Sequence, residues 1–193
     1  MTCIVGLVDQ ETGDVWMGGD SAAVRHHDRW IRAQPKVFKV GPFVIGYTTS
    51  FRMGQLLQYD LDIKLPLGTI DDDPFAFMVR TFVPAARQCF KDGGFAEKDK
   101  EVEAGGEFLV GYRGHLYQIF SDYQVAESVG DFAAVGCAAA YALGALEVLQ
   151  AQNAEEAILT ALKVAEGFSA GVSEPFTVVR LPGYLENQEE RPQ

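Results

Sequence analysis

The chain has 193 residues, of which 48% are hydrophobic, and a formal net charge of −11 at pH 7. This length allows one sizeable hydrophobic core and is short for two ordinary domains. The acidic balance argues against partners that present phosphates, so we expect neither a nucleic acid nor an anionic membrane surface as a partner.

The first fifty residues alternate between short apolar runs and turn residues, a pattern that predicts β-strands. The predicted strands are Cys3–Val8, Val15–Gly19, Trp30–Ile31, Lys36–Val40 and Phe43–Thr48. The turn residues Glu11–Asp14 predict a hairpin between the first two strands. Such a hairpin would place the first residues of the chain beside Asp20.

Two helices are predicted after these strands. Ser50 is a candidate N-cap for the first, and the Asp73-Pro74 pair is a stronger start signal for the second. Apolar residues recur at helical spacing over Phe75–Phe90, within which Pro84 predicts a kink or break. The charged stretch that follows, Ala96–Gly105, is expected to be solvated and mobile.

The second half of the chain repeats the order of strands followed by helices. The predicted strands are Phe108–Tyr112, Leu116–Phe120, Gln124–Ser128, Phe132–Val135 and, at the end, Pro175–Leu181. Arg113-Gly114 predicts a tight turn between the first two of these strands. The predicted helices are Ala138–Gln150 and Ala154–Phe168, the second with Asn153 as its cap.

The predicted order is therefore strands, two helices, strands, two helices and a strand. Two antiparallel sheets packed face to face between helix pairs would satisfy it, which predicts an α+β fold with four αββα layers. We expect one domain over residues 1–181. The tail over residues 182–193, rich in Glu, Gln and Pro, is expected to be disordered.

The cysteines and the most apolar stretch bear on cofactors and location. Cys3, Cys89 and Cys137 are odd in number and lack metal-ligand spacing, so a disulfide framework and a zinc site are not expected. No cofactor is predicted. The uncharged part of Phe132–Leu149 falls short of the roughly 20 residues that a bilayer-spanning helix needs. A reducing cytoplasm fits these features best.

Five short motifs resemble the proteasome β-subunit and its bacterial HslV-type relative, which are N-terminal-nucleophile threonine peptidases. The motifs are Met1–Gly6, Gly18–Ser21, Lys36–Phe38, Ile45–Thr48 and Ala134–Gly144. Each motif alone is weak, but five in the right order at similar spacings are fairly specific. The resemblance covers the chain from Thr2 to about Leu181.

The chemistry of Thr2 can be argued from its position. Initiator methionine is removed readily when the next residue is small, and Thr2 would then carry both a hydroxyl and a free α-amine. The reference pKa of that amine, about 7.7–8.0, is low enough for it to accept the hydroxyl proton. Most second-position threonines merely begin a strand, so the other motifs are what favour catalysis.

Lys36 and Asp20 are the predicted electrostatic partners of Thr2. Lys36 would place a positive charge beside the nucleophile, which lowers the pKa of the hydroxyl and disfavours protonation of the amine. Asp20 would pair with Lys36 and hold it charged. Either could be an ordinary surface charge, but Asp20 follows two glycines at a strand end and Lys36 opens an apolar strand.

Two further site features are implied by the resemblance. Backbone N–H groups over Gly46–Thr49, with Gly46 and Thr48 as the principal candidates, would stabilise the oxyanion, and glycine would let the chain approach substrate closely. The same residues could simply form a strand-to-helix turn. Cys137 stands where the family usually has a Ser near the nucleophile, or it is a small buried residue at a strand–helix junction.

The segment Glu166–Gly171 departs from the family pattern. The family typically has an Asp at the place of Gly167, where it supports the network around the nucleophile, and proteasome subunits have a Ser at the place of Ala170. Glu166 or Ser169 could compensate for the missing Asp. Without compensation, the departure lowers the expected rate or removes activity.

Three other functions stay open. Gly19-Asp20-Ser21 is similar to the Gly-Asp-Ser motif of certain serine esterases, but no late His with an Asp three residues before it is present. A small-amide hydrolase with the same nucleophile is a second alternative, and an inactive ring-forming scaffold is a third. For a peptidase, the resemblance implies a polypeptide substrate, a homo-oligomeric ring and an ATP-dependent unfoldase as partner.

Overall fold

The computed structural model describes residues 2–64, 73–100, 102–149 and 153–183. The strands are β1 (Ile4–Val8), β2 (Val15–Gly19), β3 (Ala22–Arg25), β4 (Asp28–Ile31), β5 (Val37–Val40), β6 (Phe43–Tyr47), β7 (Glu97–Asp99), β8 (Val102–Ala104), β9 (Phe108–Tyr112), β10 (His115–Ile119), β11 (Val125–Glu127), β12 (Phe132–Val135) and β13 (Thr177–Leu181). The helices are α1 (Phe51–Tyr59), α2 (Pro74–Phe77), α3 (Val83–Asp92), α4 (Ala139–Val148) and α5 (Ala154–Phe168), with a π-helical segment (Met78–Phe82) between α2 and α3.

The strands form two large antiparallel sheets. One has four strands in the order β12-β1-β2-β13, and the other has five in the order β11-β10-β9-β6-β5. Two small hairpins, β3-β4 and β7-β8, lie apart from these sheets. The β1-β2 hairpin is the centre of the four-stranded sheet, in a register that pairs Ile4 with Gly19 and Val8 with Val15.

Alternating side chains of each sheet divide between two apolar layers, as the two-residue period of a strand requires. Ile4 and Met17 of the four-stranded sheet pack between the sheets with Val44 and Leu109 of the other. Val5, on the opposite face of β1, packs against α4 and α5. Helices α1 and α3 cover the outer face of the five-stranded sheet. The predicted four-layer αββα sandwich is confirmed.

The predicted helix starts are confirmed by their caps. The Ser50 hydroxyl accepts a hydrogen bond from the Arg52 amide at 3.1 Å, and the Asp73 carboxylate accepts one from the Ala76 amide at 2.9 Å. Asn153 caps α5 in the same way. Each cap satisfies one of the backbone donors that the first turn of a helix leaves unpaired.

The Arg113-Gly114 turn between β9 and β10 is also confirmed. Arg113 has φ of +52° and Gly114 has φ of +78°, the two positive values that a type I′ turn needs. Tyr112 and His115, on either side, form the first pair of the ladder.

Pro84 changes the helix without ending it. The Val83 amide donates to the Met78 carbonyl five residues back, so the turn before Pro84 is widened into a π-helical segment. Proline has no amide hydrogen, and its ring crowds the carbonyl four residues earlier. Widening the preceding turn relieves that crowding.

The charged stretch Ala96–Gly105 is solvated along β7, as predicted, but it also forms strands that the sequence did not predict. Its described residues form the β7-β8 hairpin, with Glu97 paired to Ala104. Glu103 holds the hairpin to α3 through an ion pair with Arg87, 2.7 Å from Arg87 Nη2 to Glu103 Oε2. Sequence periodicity could not indicate these strands because they carry charges rather than alternating apolar residues.

The ends of the predicted domain can be followed only in part. Pro182 and Gly183, at the start of the predicted tail, are in place, and the Gly183 amide donates to the Asp14 carboxylate at 2.7 Å. Met1, residues 184–193 and the predicted helix end at Gln150 lie outside the described residues. Within the described parts of the chain, no helix is long and apolar enough to cross a membrane.

Candidate active site

The β1-β2 hairpin brings the two ends of its strands together. Thr2 lies just before β1 and Asp20 just after β2, so antiparallel pairing makes them neighbours. The Asp20 amide donates to the Cys3 carbonyl at 3.3 Å, and the Cys3 amide donates to Asp20 Oδ1 at 3.0 Å. The Asp20 carboxylate is therefore fixed beside Thr2 by the backbone of the first strand.

Lys36 reaches this position from the other sheet, where it precedes β5. Its Nζ lies 2.9 Å from both carboxylate oxygens of Asp20, 2.7 Å from the Ala22 carbonyl oxygen and 3.2 Å from Thr2 Oγ1. All three site side chains are buried: Thr2 is 5% exposed, Asp20 1% and Lys36 1%. The structure thus brings Thr2, Asp20 and Lys36 into one hydrogen-bonded cluster.

Two opposing effects act on the Lys36 ammonium. Burial lowers the pKa of Lys36, while the charge and hydrogen bonds of Asp20 raise it, and burial prevails, leaving the pKa below its ordinary value. The prediction that Asp20 holds Lys36 charged describes only one of these effects. A buried lysine with a lowered pKa gives up a proton more readily than a surface lysine does.

Cys3, next to Thr2, stays a thiol. Burial, together with the nearby Asp20 carboxylate, raises the pKa of Cys3 to about 12. Because thiolates rather than thiols are the reactive form, Cys3 is in its unreactive form at neutral pH.

Most amides of the predicted oxyanion segment Gly46–Thr49 are already donors. The Tyr47 amide donates to the Lys36 carbonyl and the Thr48 amide to the Glu107 carbonyl, both at 3.1 Å. Gly46 lies inside β6, between β5 and β9, where its amide belongs to the sheet. Among the described residues the Thr49 amide has no backbone acceptor. Of the four amides in this segment, the Thr49 amide is therefore the one left available to a bound ligand.

Gly46 and Thr48 have structural reasons for their identity. A Cβ on Gly46 would lie 2.5 Å from Ile4 Cγ2 and 2.7 Å from Met17 Sδ. The missing side chain thus allows the two sheets to pack. The expectation that Gly46 lets the chain approach substrate is corrected, because its neighbours are side chains of the facing sheet. Thr48 Oγ1 donates to the Glu107 carbonyl at 2.9 Å and fixes the end of β6.

Cys137 and Gly136 contact the carbonyl of Thr2. Cys137 Sγ lies 3.6 Å from the Thr2 carbonyl oxygen and 3.7 Å from Ser169 Oγ, and the residue is exposed rather than buried. Gly136 has φ of +105°, and a Cβ there would stand 2.2 Å from the same Thr2 oxygen. The turn before α4 can touch the first residue of the site only because position 136 has no side chain.

Of the two residues that could replace the Asp missing at Gly167, only Ser169 lies near the site. Glu166 Oε1 accepts from the Glu174 amide at 3.0 Å and from Ser173 Oγ, and Glu166 Oε2 is paired with Lys163. Ser169 contacts Cys137. Nothing lies within 4 Å of a Cβ placed on Gly167, so no neighbour is arranged around the absent side chain.

Ser21 does not form a serine-hydrolase site. Its hydroxyl donates to the Pro175 carbonyl, and its amide donates to the Ser173 carbonyl at 3.0 Å. His115 is engaged elsewhere, with Nδ1 2.6 Å from Glu127 Oε1. In the described parts of the chain, no group of three His, Cys, Asp or Glu residues is placed to hold a metal ion.

Two contributors to the cluster were missed in the sequence. The Ala22 backbone carbonyl accepts a hydrogen bond from Lys36 Nζ. Because any residue type has such a carbonyl, the sequence could not indicate this contact. Gly136 was part of a motif but had no assigned role. Its position before Cys137, at a strand–helix junction, could have indicated a turn that needs glycine.

Solved structures share this architecture. The BPH protein of Thiobacillus denitrificans, in complex with epoxomicin, superimposes with a TM-score of 0.74 at 16% sequence identity, covering 94% of this chain and 98% of that one. The chain has the fold of proteasome-like proteins. Eukaryotic HslV from Trypanosoma brucei gives a TM-score of 0.66 at 16% identity, covering 94% of this chain and 99% of that one. Anbu, an ancestral β-subunit from Yersinia bercovieri, gives 0.64 at 14% identity, with coverages of 94% and 82%.

Sequence comparison adds nothing to the structural likeness. No family model matches the chain, and no curated protein matches it. The solved structures alone thus confirm the predicted resemblance to HslV and the proteasome β-subunit, at the level of the fold.

Proposed function

We propose that the chain is a threonine peptidase that hydrolyses peptide bonds through an acyl-enzyme on Thr2 after removal of Met1. One observation carries this proposal: Lys36 Nζ lies 3.2 Å from Thr2 Oγ1 while it is paired with the buried Asp20. A lysine at hydrogen-bond distance from a threonine hydroxyl favours the alkoxide form of that hydroxyl.

The reaction follows from the groups in this cluster. The free amine of Thr2 takes the hydroxyl proton as Oγ1 attacks the substrate carbonyl carbon, and the Thr49 amide donates to the oxyanion. The C–N bond then breaks, the departing amine takes that proton, and the substrate's acyl group remains as an ester on Oγ1. Water, deprotonated by the same amine, attacks the ester, releasing the acid and restoring the hydroxyl.

Removal of Met1 is the step on which the mechanism depends. Met1 lies outside the described residues, and while it is attached the Thr2 nitrogen is an amide that cannot act as a base. The polypeptide substrate, the homo-oligomeric ring, the ATP-dependent unfoldase and the cytoplasmic location stay predictions from the resemblance and composition.

A catalytically weak or inactive scaffold is the second candidate. The observation that favours it is the exposed Gly167, which leaves the place of the usual Asp without a replacement carboxylate. Activity on a small amide, with the same Thr2 chemistry, is the third candidate. The three functions differ in what the purified protein hydrolyses.

The test combines N-terminal mass with hydrolysis of an unfolded protein. We expect the purified protein to begin at Thr2 and to release peptides from fluorescein-labelled casein. Thr2→Ala should abolish release without lowering the melting temperature, and Thr2→Ser, which keeps hydroxyl and amine, should retain measurable activity. A protein that begins at Thr2 and leaves casein intact would be the scaffold, or an amidase if it hydrolyses small amides.

A further inference from the structure

A positive charge without a carboxylate partner lies next to the proposed catalytic cluster. The guanidinium carbon of Arg32 stands 3.9 Å from the centroid of the Phe51 ring, at the start of α1. Its Nη2 makes one long hydrogen bond, 3.4 Å, to Gln34 Oε1. Within the described residues no Asp or Glu forms an ion pair with Arg32.

Arg25, Arg29, Arg52 and Arg80 also form no ion pair with a described Asp or Glu, so what distinguishes Arg32 is its place beside the cluster. The chain has 27 acidic residues and 16 Lys and Arg residues, so carboxylates are available in excess. Arg87 and Arg180 each have one, Glu103 and Asp14. A guanidinium has five N–H donors in a planar fork that matches a carboxylate, and Arg32 uses few of them.

The backbone places Arg32 at the edge of the cluster. Its amide donates to the Ser21 carbonyl at 3.0 Å, one residue beyond Asp20. Burial lowers the pKa of Lys36 and raises the pKa of Tyr47, and in both cases the nearby charge of Arg32 contributes a lowering effect. Tyr47 in turn packs edge-on against Phe51, with ring centroids 6.4 Å apart. Arg32 and Lys36 therefore face the same region.

Stacking on Phe51 restricts where the guanidinium can point. Arginine stacks on aromatic faces and keeps its N–H edges open, so less conformational freedom is lost when it binds a carboxylate. Arg32 is half-buried, so a hydrogen bond to a charged group there is screened less than at the open surface. Such a site suits an anionic side chain on a bound peptide.

We propose that Arg32 is a specificity-determining residue that selects substrates with an Asp or Glu side chain beside the scissile bond. This inference rests on the proposed peptidase function of Thr2. The side-chain carboxylate accepts two hydrogen bonds from the guanidinium, and the peptide bond next to it lies over Thr2 Oγ1.

The test is a cleavage-site profile of casein, determined by mass spectrometry so that residues on both sides of each cut are read. Cuts next to Asp or Glu should dominate in the wild type. Arg32→Gln should lower the ratio of acidic to neutral cuts by about 10-fold or more, with neutral cuts retained. Arg32→Lys keeps the charge but loses the planar guanidinium, so its ratio of acidic to neutral cuts should lie between those of the wild type and Arg32→Gln.

Arg52→Gln is the matched control. Arg52 is the next residue after Phe51, but its Nη2 donates to the Gly93 carbonyl at the end of α3, away from the cluster. It should keep the wild-type profile. A wild type without preference for acidic sites, or an Arg32→Gln profile equal to the wild type, would overturn the inference while leaving the peptidase proposal intact. A wild type that begins at Thr2 and cuts nowhere would overturn both.

Discussion

Strand β2 has a buried aspartate at each end, and the two aspartates hold opposite ends of the same sheet. Asp14 precedes the strand and is 2% exposed, and Asp20 follows it and is 1% exposed. Each pairs with a cation from elsewhere in the chain, Arg180 for Asp14 and Lys36 for Asp20. Their surroundings differ in what else the carboxylate and the cation touch.

At the Asp14 end, all contacts are structural. The carboxylate accepts from Arg180 and from the Gly183 amide, which ties β13 and the residues just after it to the β1-β2 turn. Burial would raise the pKa of Asp14, but these hydrogen bonds and the charge of Arg180 outweigh it and lower the pKa. The Arg180 side chain is 39% exposed, so this cation stays partly hydrated.

At the Asp20 end, the cation is fully buried and has a hydroxyl beside it. The Lys36 and Asp20 side chains are both 0% exposed, and Nζ also contacts Thr2 Oγ1. Burying a charge pair carries a large desolvation cost, and a pair whose cation stays partly hydrated, as at Asp14, would hold the strand as well. The difference teaches that stability alone does not account for Lys36, whereas the proposed effect of its charge on the Thr2 hydroxyl does.

The largest effect is expected from breaking the buried pair. Lys36→Met should lower the free energy of unfolding by about 3–5 kcal/mol, because Asp20 is left buried without its counter-charge. Peptide hydrolysis should fall by about 100- to 1,000-fold in protein that remains folded. Chemical denaturation and casein hydrolysis measure the two effects separately.

A double variant serves as the control for that loss. In Asp20→Asn/Lys36→Met the isolated charge is gone, so much of the stability should return while hydrolysis stays low. Recovery of hydrolysis together with stability would mean that Lys36 acts only through the fold.

The next effect is expected at Gly136. Gly136→Ala places a Cβ against the Thr2 carbonyl in a backbone conformation that side chains rarely adopt, which costs of the order of 1–3 kcal/mol from the backbone alone. Because the clash is with Thr2 itself, the rate of hydrolysis should fall even at temperatures where the variant is still fully folded. An alanine variant with wild-type hydrolysis would show that the turn before α4 does not position Thr2.

Asp14→Asn should affect stability and leave catalysis unchanged. We expect a loss of about 1–3 kcal/mol at neutral pH from the weakened bonds to Arg180 and Gly183. Since the pKa of Asp14 is lowered on folding, its contribution is present above the ordinary value of about 3.9 and is lost as the pH falls through the folded-state value. Urea denaturation at several pH values should therefore show wild type and variant converging in acid.

The smallest effect is expected at Gly167. With nothing within 4 Å of the new Cβ, Gly167→Ala should stabilise α5 by about 0.5–1 kcal/mol, because alanine loses less backbone entropy than glycine. Thermal denaturation measures the gain. A loss of hydrolysis in this variant would indicate that the segment after α5 must be flexible or closely approached by substrate.

Much of the fold was predictable because its elements carry local signals. The Asp73 cap, the Arg113-Gly114 turn and the apolar strands β1, β6 and β9 are each specified by residues within a few positions. The hairpins β3-β4 and β7-β8 were not fully predicted, since β4 and β7 are exposed along their whole length. Their pairing depends on neighbours in space.

The placement of Thr2, Asp20 and Lys36 together was predictable from the sequence, whereas their individual hydrogen bonds were less so. Thr2, Asp20 and Lys36 lie at strand ends that a hairpin and two facing sheets bring together. The fate of individual amides in Gly46–Thr49 depends on sheet register, which no single sequence specifies. The same holds for Arg32, because a sequence does not show which arginine stacks on Phe51 beside the site.

The most direct test of the account is covalent capture of Thr2 by epoxomicin, the compound present in the Thiobacillus denitrificans BPH structure. Its epoxyketone offers one carbon to a hydroxyl and another to an amine. Intact-mass analysis should show one adduct on protein that begins at Thr2, mapped to that residue by peptide sequencing, and none on Thr2→Ala. A folded wild-type protein that begins at Thr2 and gains no mass would contradict the claim that hydroxyl, free amine and Lys36 act together as a nucleophile.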